Sequence, residues 1–191
     1  MKNQEDTNMN ERNYSCEIAT MIGAFLKTDD WNYRFDKETG RFRFGLNTRN
    51  KLKTLDYLVG VDTDAYTVYA VSPIGADISN PEERAAMAEF ICRANYGMRY
   101  GNFEMDLRDG EIRYKCFVNC DGALPSPAIV KDSIYMPAVT FSHYTPGILA
   151  ILFNGASAEE AIRVKARAKI RMCSSFFIKV HLINHDRQME E

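Results

Sequence analysis

The sequence predicts an α+β fold, an antiparallel sheet with helices packed on it, in the order α-β-β-β-β-α-β-β-α-α. Three observations predict it. Apolar residues recur at helical spacing in stretches that carry their own start and stop signals. Aromatic and polar residues alternate strictly between Trp31 and Leu46, the two-residue period of a half-buried strand. From Gly101 to Val118 the chain reads as a hairpin in which charges and apolar residues agree on one register.

The first helix is expected from about Glu11 to Lys27, with Tyr14, Ile18, Met21, Ile22, Phe25 and Leu26 on one stripe and Thr28-Asp29-Asp30 ending it. Trp31, Tyr33 and Phe35, a turn at Thr39-Gly40, then Phe42, Phe44 and Leu46 make the first strand pair. Its outer face carries Arg34, Asp36, Arg41 and Arg43. Pairing Asp36 with Arg41 sets Arg34 against Arg43, whereas a shifted or bulged pairing of Asp36 with Arg43 avoids that contact. A second strand pair, Leu55 to Val61 and Ala65 to Val71, turns at Asp62-Thr63-Asp64. Tyr or Val on both of its faces suggests partial cover on both sides.

Asn80-Pro81-Glu82-Glu83 is a helix start, with Asn as N-cap, Pro at the first position and acids in the first turn. Met87, Phe90, Ile91 and Ala94 form that helix's apolar stripe, and Gly97 closes it. In the hairpin that follows, Asp109-Gly110 is a favoured pair for a two-residue type I′ turn. That turn sets Arg108 against Glu111, Asp106 against Arg113 and Glu104 against Lys115, with Leu107, Met105 and Phe103 facing Ile112, Tyr114 and Cys116. Gly122 to Pro127 reads as a loop and Ser133 to Asn154 as helix, with a break or kink expected at Pro137 or Pro146. Ser157-Ala-Glu-Glu160 is a capping box that starts a last helix, to about Met172. Residues 176–183 are β-prone. The domain organisation expected is a polar tail over 1–11, one domain over 12–162 and an extension over 163–191.

A chain of 191 residues can bury a proper core. Its net charge of −2 gives no overall attraction to nucleic acid or anionic lipid. No signal-like N-terminus and no stretch of about 20 apolar residues is evident, so no membrane association is expected. Five scattered cysteines fit free thiols in a reducing compartment, and the expected location is cytoplasmic.

Catalytic chemistry is not evident. Cys116-x-x-x-Cys120 and His181-x-x-x-His185 have spacings a zinc ion tolerates, but some sixty residues separate them and Cys116 alternates inward. Ser142, His143 and Tyr144 point in different directions on a helix and make no nucleophile–base pair. Glu104 and Asp106 share a strand face about 7 Å apart. That spacing invites a glycosidase reading, but each has a basic cross-strand partner. Gly97 to Gly101 precedes a strand, not a helix, and is no phosphate loop. No catalytic residue, metal ligand or cofactor is therefore assigned. One basic run stands out, Arg163, Lys165, Arg167, Lys169 and Arg171, read as a solvated face matched to the helix dipole. Its functional alternative is an acidic partner or nucleic acid, met through Arg163, Arg167 and Arg171.

The stretch Glu89 to Arg113 resembles the bacterial YbjN family, often labelled sensory transduction regulators. In that family a helix ending in Asn leads to a Gly-x-Phe-Glu strand and an acidic-Gly turn; Asn95, Gly101, Phe103, Glu104, Asp109 and Gly110 match, as does the Glu159-Glu160-Ala161 motif. The resemblance implies a fold similar to type III secretion chaperones: dimeric, non-enzymatic, and binding extended segments of another protein. The function expected is thus a protein-binding module, chaperone-like or regulatory, acting as a homodimer. Trp31, Tyr33, Tyr57, Tyr66 and Tyr69 are candidate partner-binding residues, and Met87, Phe90 and Ile91 a candidate dimer contact. The alternatives are a small-ligand protein or enzyme with a pocket between sheet and helices, or a nucleic-acid contact through the basic helix.

Overall fold

A computed structural model describes residues 13–48 and 50–167. The elements run α1 (Cys16–Thr28), β1 (Tyr33–Asp36), β2 (Arg41–Asn47), β3 (Thr54–Val61), β4 (Ala65–Val71), α2 (Pro81–Asn95), β5 (Asn102–Met105), β6 (Ile112–Asn119), α3 (Pro127–Asn154) and α4 (Ala158–Arg167). This is the α+β order expected. The strands form one antiparallel sheet in the order β1-β2-β3-β4-β6-β5. Helix α2 carries the chain from β4 past the place of β6 to the far edge, and β6 then returns between them.

Every helix lies on one face of the sheet. On α1, Gly23 sits against Phe42, and on α3 Ser133 meets the Tyr66 hydroxyl at 3.0 Å. Phe141 and Tyr144 close edge-on around Phe103 at 5.0 and 5.4 Å. Between the layers lies a core rich in aromatics, with Phe42, Tyr66, Phe90, Tyr114, Tyr135 and Phe141 fully buried. Among the described residues α3 is the one helix long and apolar enough to cross a membrane, 28 residues with a mean hydropathy of 1.2 over its best window. This corrects the expectation that no segment comes near that length. Its apolar side chains, Ile134, Ala138, Phe141 and Ile148 among them, pack into the core.

Several boundaries move, each for a local reason. Helix α1 starts at Cys16, because Ser15 caps it by accepting from Ile18 N at 3.2 Å. Tyr14 is therefore outside the helix; its hydroxyl donates to Lys37 O at 2.8 Å, and its ring covers Gly40. Helix α3 begins at Pro127, where the sequence reads as loop, because Ser126 caps it and proline suits a first turn. It runs unbroken through Pro137 and Pro146. The Thr145 hydroxyl donates to Phe141 O at 2.6 Å in the turn before Pro146. The capping box of α4 closes as read, Ser157 Oγ and N both bonding Glu160 Oε2, and α4 is described as far as Arg167, within the helix expected to about Met172.

Two registers differ from or decide the reading. In the β5–β6 hairpin Glu104 pairs with Arg113 and Phe103 with Tyr114, two positions from the expected pairing. The turn holds four residues, Leu107 to Gly110, closed by Gly110 N to Asp106 O at 2.8 Å and Asp106 N to Glu111 O at 2.9 Å. Side chains select it: Asp106 Oδ1 accepts from Arg108 N and Asp109 Oδ1 from Glu111 N, both at 2.9 Å. A shift of two preserves every residue's face, but Leu107 moves from the inner face to an exposed turn. In the β1–β2 hairpin the unshifted register holds, with Asp36 opposite Arg41 and Arg34 opposite Arg43. Asp36 is committed to the turn through Glu38 N and Thr39 Oγ1, and Phe35 stacks on Phe42 at 4.2 Å. Those inner contacts outweigh a like-charge pair exposed to water.

Four carboxylates at turns and caps, three exposed and Asp106 half-buried, are held below their usual range: Asp36 by the Thr39 hydroxyl, Asp77 by the Ser79 hydroxyl, Asp106 by Arg108 to about 2, and Glu160 by the Ser157 amide. A carboxylate lowered in the folded state stabilises it above the unfolded value of about 4, and that contribution fades as acid protonates the folded form. Unfolding midpoints in denaturant are expected to be flat above about pH 5 and to fall from about pH 4 toward 2. A midpoint unchanged across that acid range contradicts this.

Candidate functional site

The helices leave the other face of the sheet uncovered among the described residues. Across its centre run Leu58, Tyr69 and Lys115, directly opposite one another on β3, β4 and β6. One step along lie Gly60, Thr67 and Phe117; one step the other way lie Asp56, Val71 and Arg113. Leu58, Tyr69 and Val71 are half-buried, while Phe117, a large ring near the end of its strand, is 59% exposed among the described residues. Arg113 lies over the Tyr69 ring at 4.6 Å and binds Glu104 at 2.8 Å. Lys115 reaches Glu104 at 3.7 Å from the other side. Gly60 takes no positive φ, and a Cβ placed there meets nothing within 4 Å. The backbone does not need glycine there; its effect is to flatten the face beside Tyr69.

The sheet's two edges are unlike. At β5 the Asn95 side chain clamps the outer edge, accepting from Phe103 N at 2.8 Å and donating to Phe103 O at 2.9 Å. At β1 no such clamp is present among the described residues. Val61 N donates to Gly40 O at 3.1 Å, so by antiparallel alternation the bonds of Arg41 and Arg43 face β1. Tyr33 and Phe35 then turn their N–H and C=O groups outward.

The aromatic residues singled out from sequence are mostly core. Trp31, Tyr57 and Tyr66 are buried, at 7%, 3% and 0% exposure. Trp31 stacks edge-on to Phe44 and Tyr135 and donates from Nε1 to Asp29 Oδ2 at 2.9 Å, which also accepts from the Tyr135 hydroxyl. Burial pushes the phenols of Tyr57, Tyr66 and Tyr135 up. Tyr33 is half-buried on the helix side, tilted against Phe42. Tyr69 alone of the five faces the open side. The dimer contact expected on α2 is overturned in the same way: Met87, Phe90 and Ile91 are buried beneath α3 and α4 and present nothing to a second copy. Phe90 packs edge-on against Tyr144. The residues that sequence reading missed, Leu58, Val71 and Phe117, carried a signal in parity: with Cys116 inward, Phe117 must point outward.

Other candidates stay apart. Glu104 and Asp106 are tied to Arg113 and Arg108. Cys116 and Cys120 are buried, and burial raises both thiols; His181 and His185 lie outside the described residues. Among the described residues no three His, Cys, Asp or Glu side chains are grouped to hold a metal. His143 is half-buried, edge-on to Tyr144. An open depression of about 490 Å³ lies beside the β2–β3 connection, lined by Asn50, Lys51, Ser142, Thr145 and Leu149 among others, with no carboxylate, thiol or imidazole among the described residues of its wall. Arg163 is exposed and paired with Glu159, whereas the side chains of Arg167 and Arg171 lie outside the described residues.

Among the described residues the arrangement is that of a two-layer α+β sandwich with one sheet face and the β1 edge open. No family model, curated protein or solved structure matches the chain.

Proposed function

We propose that the protein is a non-enzymatic protein-binding module, chaperone-like or regulatory, that works as a homodimer and holds an extended segment of a partner protein against the open face of its sheet. The observation that carries this reading is the apolar centre of that face, Leu58, Tyr69, Val71 and Phe117, rimmed by Arg41, Arg113 and Lys115. Helices bury one side of a sheet fully, and an exposed aromatic beside half-buried apolar neighbours on the other marks an interaction surface. A flat glycine position lets a partner backbone come close. The likeness of residues 89–113 to the YbjN family supports the same class of function.

Its test separates binding from folding. Gly60→Val adds a β-branched side chain to a strand position with free space, so stability is expected to hold or rise by up to about 1 kcal/mol. The same side chain fills the flat of the face. A photo-crosslinker at Phe117 in the native host is expected to give discrete adducts that Gly60→Val abolishes. A crosslinker at Glu89, on the helix side, is expected to give none. Equal adducts from both positions, or adducts indifferent to Gly60→Val, would sink the reading.

A further inference from the structure

We propose that a second copy of this chain pairs with β1 strand to strand across a two-fold axis, with Phe35 opposite the partner's Phe35 and Arg34 opposite the partner's Asp36. This rests on the dimeric reading above and moves the dimer contact from α2 to the sheet edge.

The argument begins with the difference between the edges. A protein that leaves outward N–H and C=O groups on an edge strand risks indiscriminate pairing. Here the Asn95 clamp takes up both outward groups of Phe103 in the middle of β5, leaving those of Met105, while Tyr33 and Phe35 on β1 both present theirs. Charge then chooses the occupant. Arg34 faces Arg43 across the hairpin, and neither has a carboxylate partner in hydrogen-bonding reach among the described residues, so the edge carries an unrelieved positive pair. A neighbouring strand with an acid opposite Arg34 relieves it.

The chain itself supplies that strand. Two antiparallel copies of β1 must join outward groups to outward groups, so only odd positions pair by hydrogen bonds. With Tyr33 opposite the partner's Phe35, Arg34 meets the partner's Arg34, and like charges stand directly opposed. With Tyr33 opposite the partner's Tyr33, Arg34 meets the partner's Asn32 and no charges match. With Phe35 on the axis, Arg34 meets the partner's Asp36 twice, once on each side. Asp36 remains ionised, since its turn bonds lower its pKa. On the helix side the same register brings together the half-buried Phe35 rings, each flanked edge-on by Tyr14 at 6.2 Å. A short charged edge strand discourages pairing with unlike chains; this spacing of Arg and Asp permits its own. The result is a twelve-stranded sheet whose open faces are continuous.

Sedimentation velocity of the full chain against concentration, with amide exchange, tests the proposal. The wild-type chain is expected to be a dimer at tens of micromolar with slowed exchange at Tyr33 and Phe35. Arg34→Glu turns both cross-axis pairs repulsive and is expected to weaken the dimer at least about tenfold. Within one copy the same change sets opposite charges across from Arg43, so the fold is not endangered. A retained thermal midpoint at a concentration where both proteins are monomeric checks that. A dimer that Arg34→Glu leaves intact, or one with unprotected Phe35, overturns the β1 interface and leaves the dimeric reading standing. A chain that stays monomeric overturns both.

Discussion

Gly110→Ala is expected to lower stability by about 3 kcal/mol or more, the larger part from a backbone clash and the rest from its left-handed conformation. Gly110 has φ +80, and a Cβ there would stand 2.0 Å from Ala76 O. That oxygen belongs to backbone that cannot step aside: Ala76 N donates to Gly110 O at 3.0 Å, and Gly75 packs as tightly against Gly110 from its own side. The contact docks the hairpin turn on the segment leading into α2. Gly122→Ala is the control, with φ +78 and no neighbour within 4 Å, so it is expected to cost only about 1 to 2 kcal/mol. Denaturant midpoints at unchanged m-value measure both. Equal losses would show that conformation alone matters and that the docking contributes nothing.

Asn95→Leu is expected to cost about 2 to 3 kcal/mol. The clamp satisfies both backbone groups of Phe103, a residue 2% exposed; leucine leaves its N–H without that partner close to the core and its carbonyl with only the Asn102 amide, at 3.2 Å. The substitution also uncovers the second sheet edge, so self-association beyond the wild-type state is expected in sedimentation. Asn95→Asp keeps the acceptor for Phe103 N–H and loses the donor to Phe103 O, and an intermediate loss is expected. Phe103 amide exchange reads the clamp directly: fast in Asn95→Leu, slowed in wild type. If Asn95→Leu is as stable as wild type, the β5 edge is closed by something other than Asn95, and the contrast between the two edges loses its basis.

Much of this architecture was legible. Alternation at Phe42, Phe44 and Leu46 placed the inner face of β2, and the Asn80-Pro81 start and the Ser157–Glu160 box placed two helices, because these signals are local and act within a few residues. The hairpin's faces were legible while its turn was not. A shift of two conserves parity, so the pattern cannot distinguish a two-residue turn from a four-residue one; the Ala76–Gly110 contact, 34 residues apart in sequence, favours the latter. Aromatics misled for a related reason. Trp31, Tyr57 and Tyr66 looked like surplus for a binding face, yet α1 and α3 together need that much aromatic volume beneath them.

The candidate site was the least legible part. Tyr or Val on both faces of β3 and β4 suggested cover on both sides, and nothing local says which side the helices take. Met87, Phe90 and Ile91 form the same stripe whether they meet a second copy or their own sheet. By itself the sequence determined the order of the described elements and the alternation of faces along most strands, since periodicity, caps and turns are properties of short stretches. Only the tertiary structure decided that β6 inserts between β4 and β5, that the described helices share one face, and that Asn95 takes up the outward groups of Phe103 while β1 stays open among the described residues. Those outcomes depend on contacts between residues far apart in the chain, where competing packings share the same local pattern and differ only in how well the whole core fills.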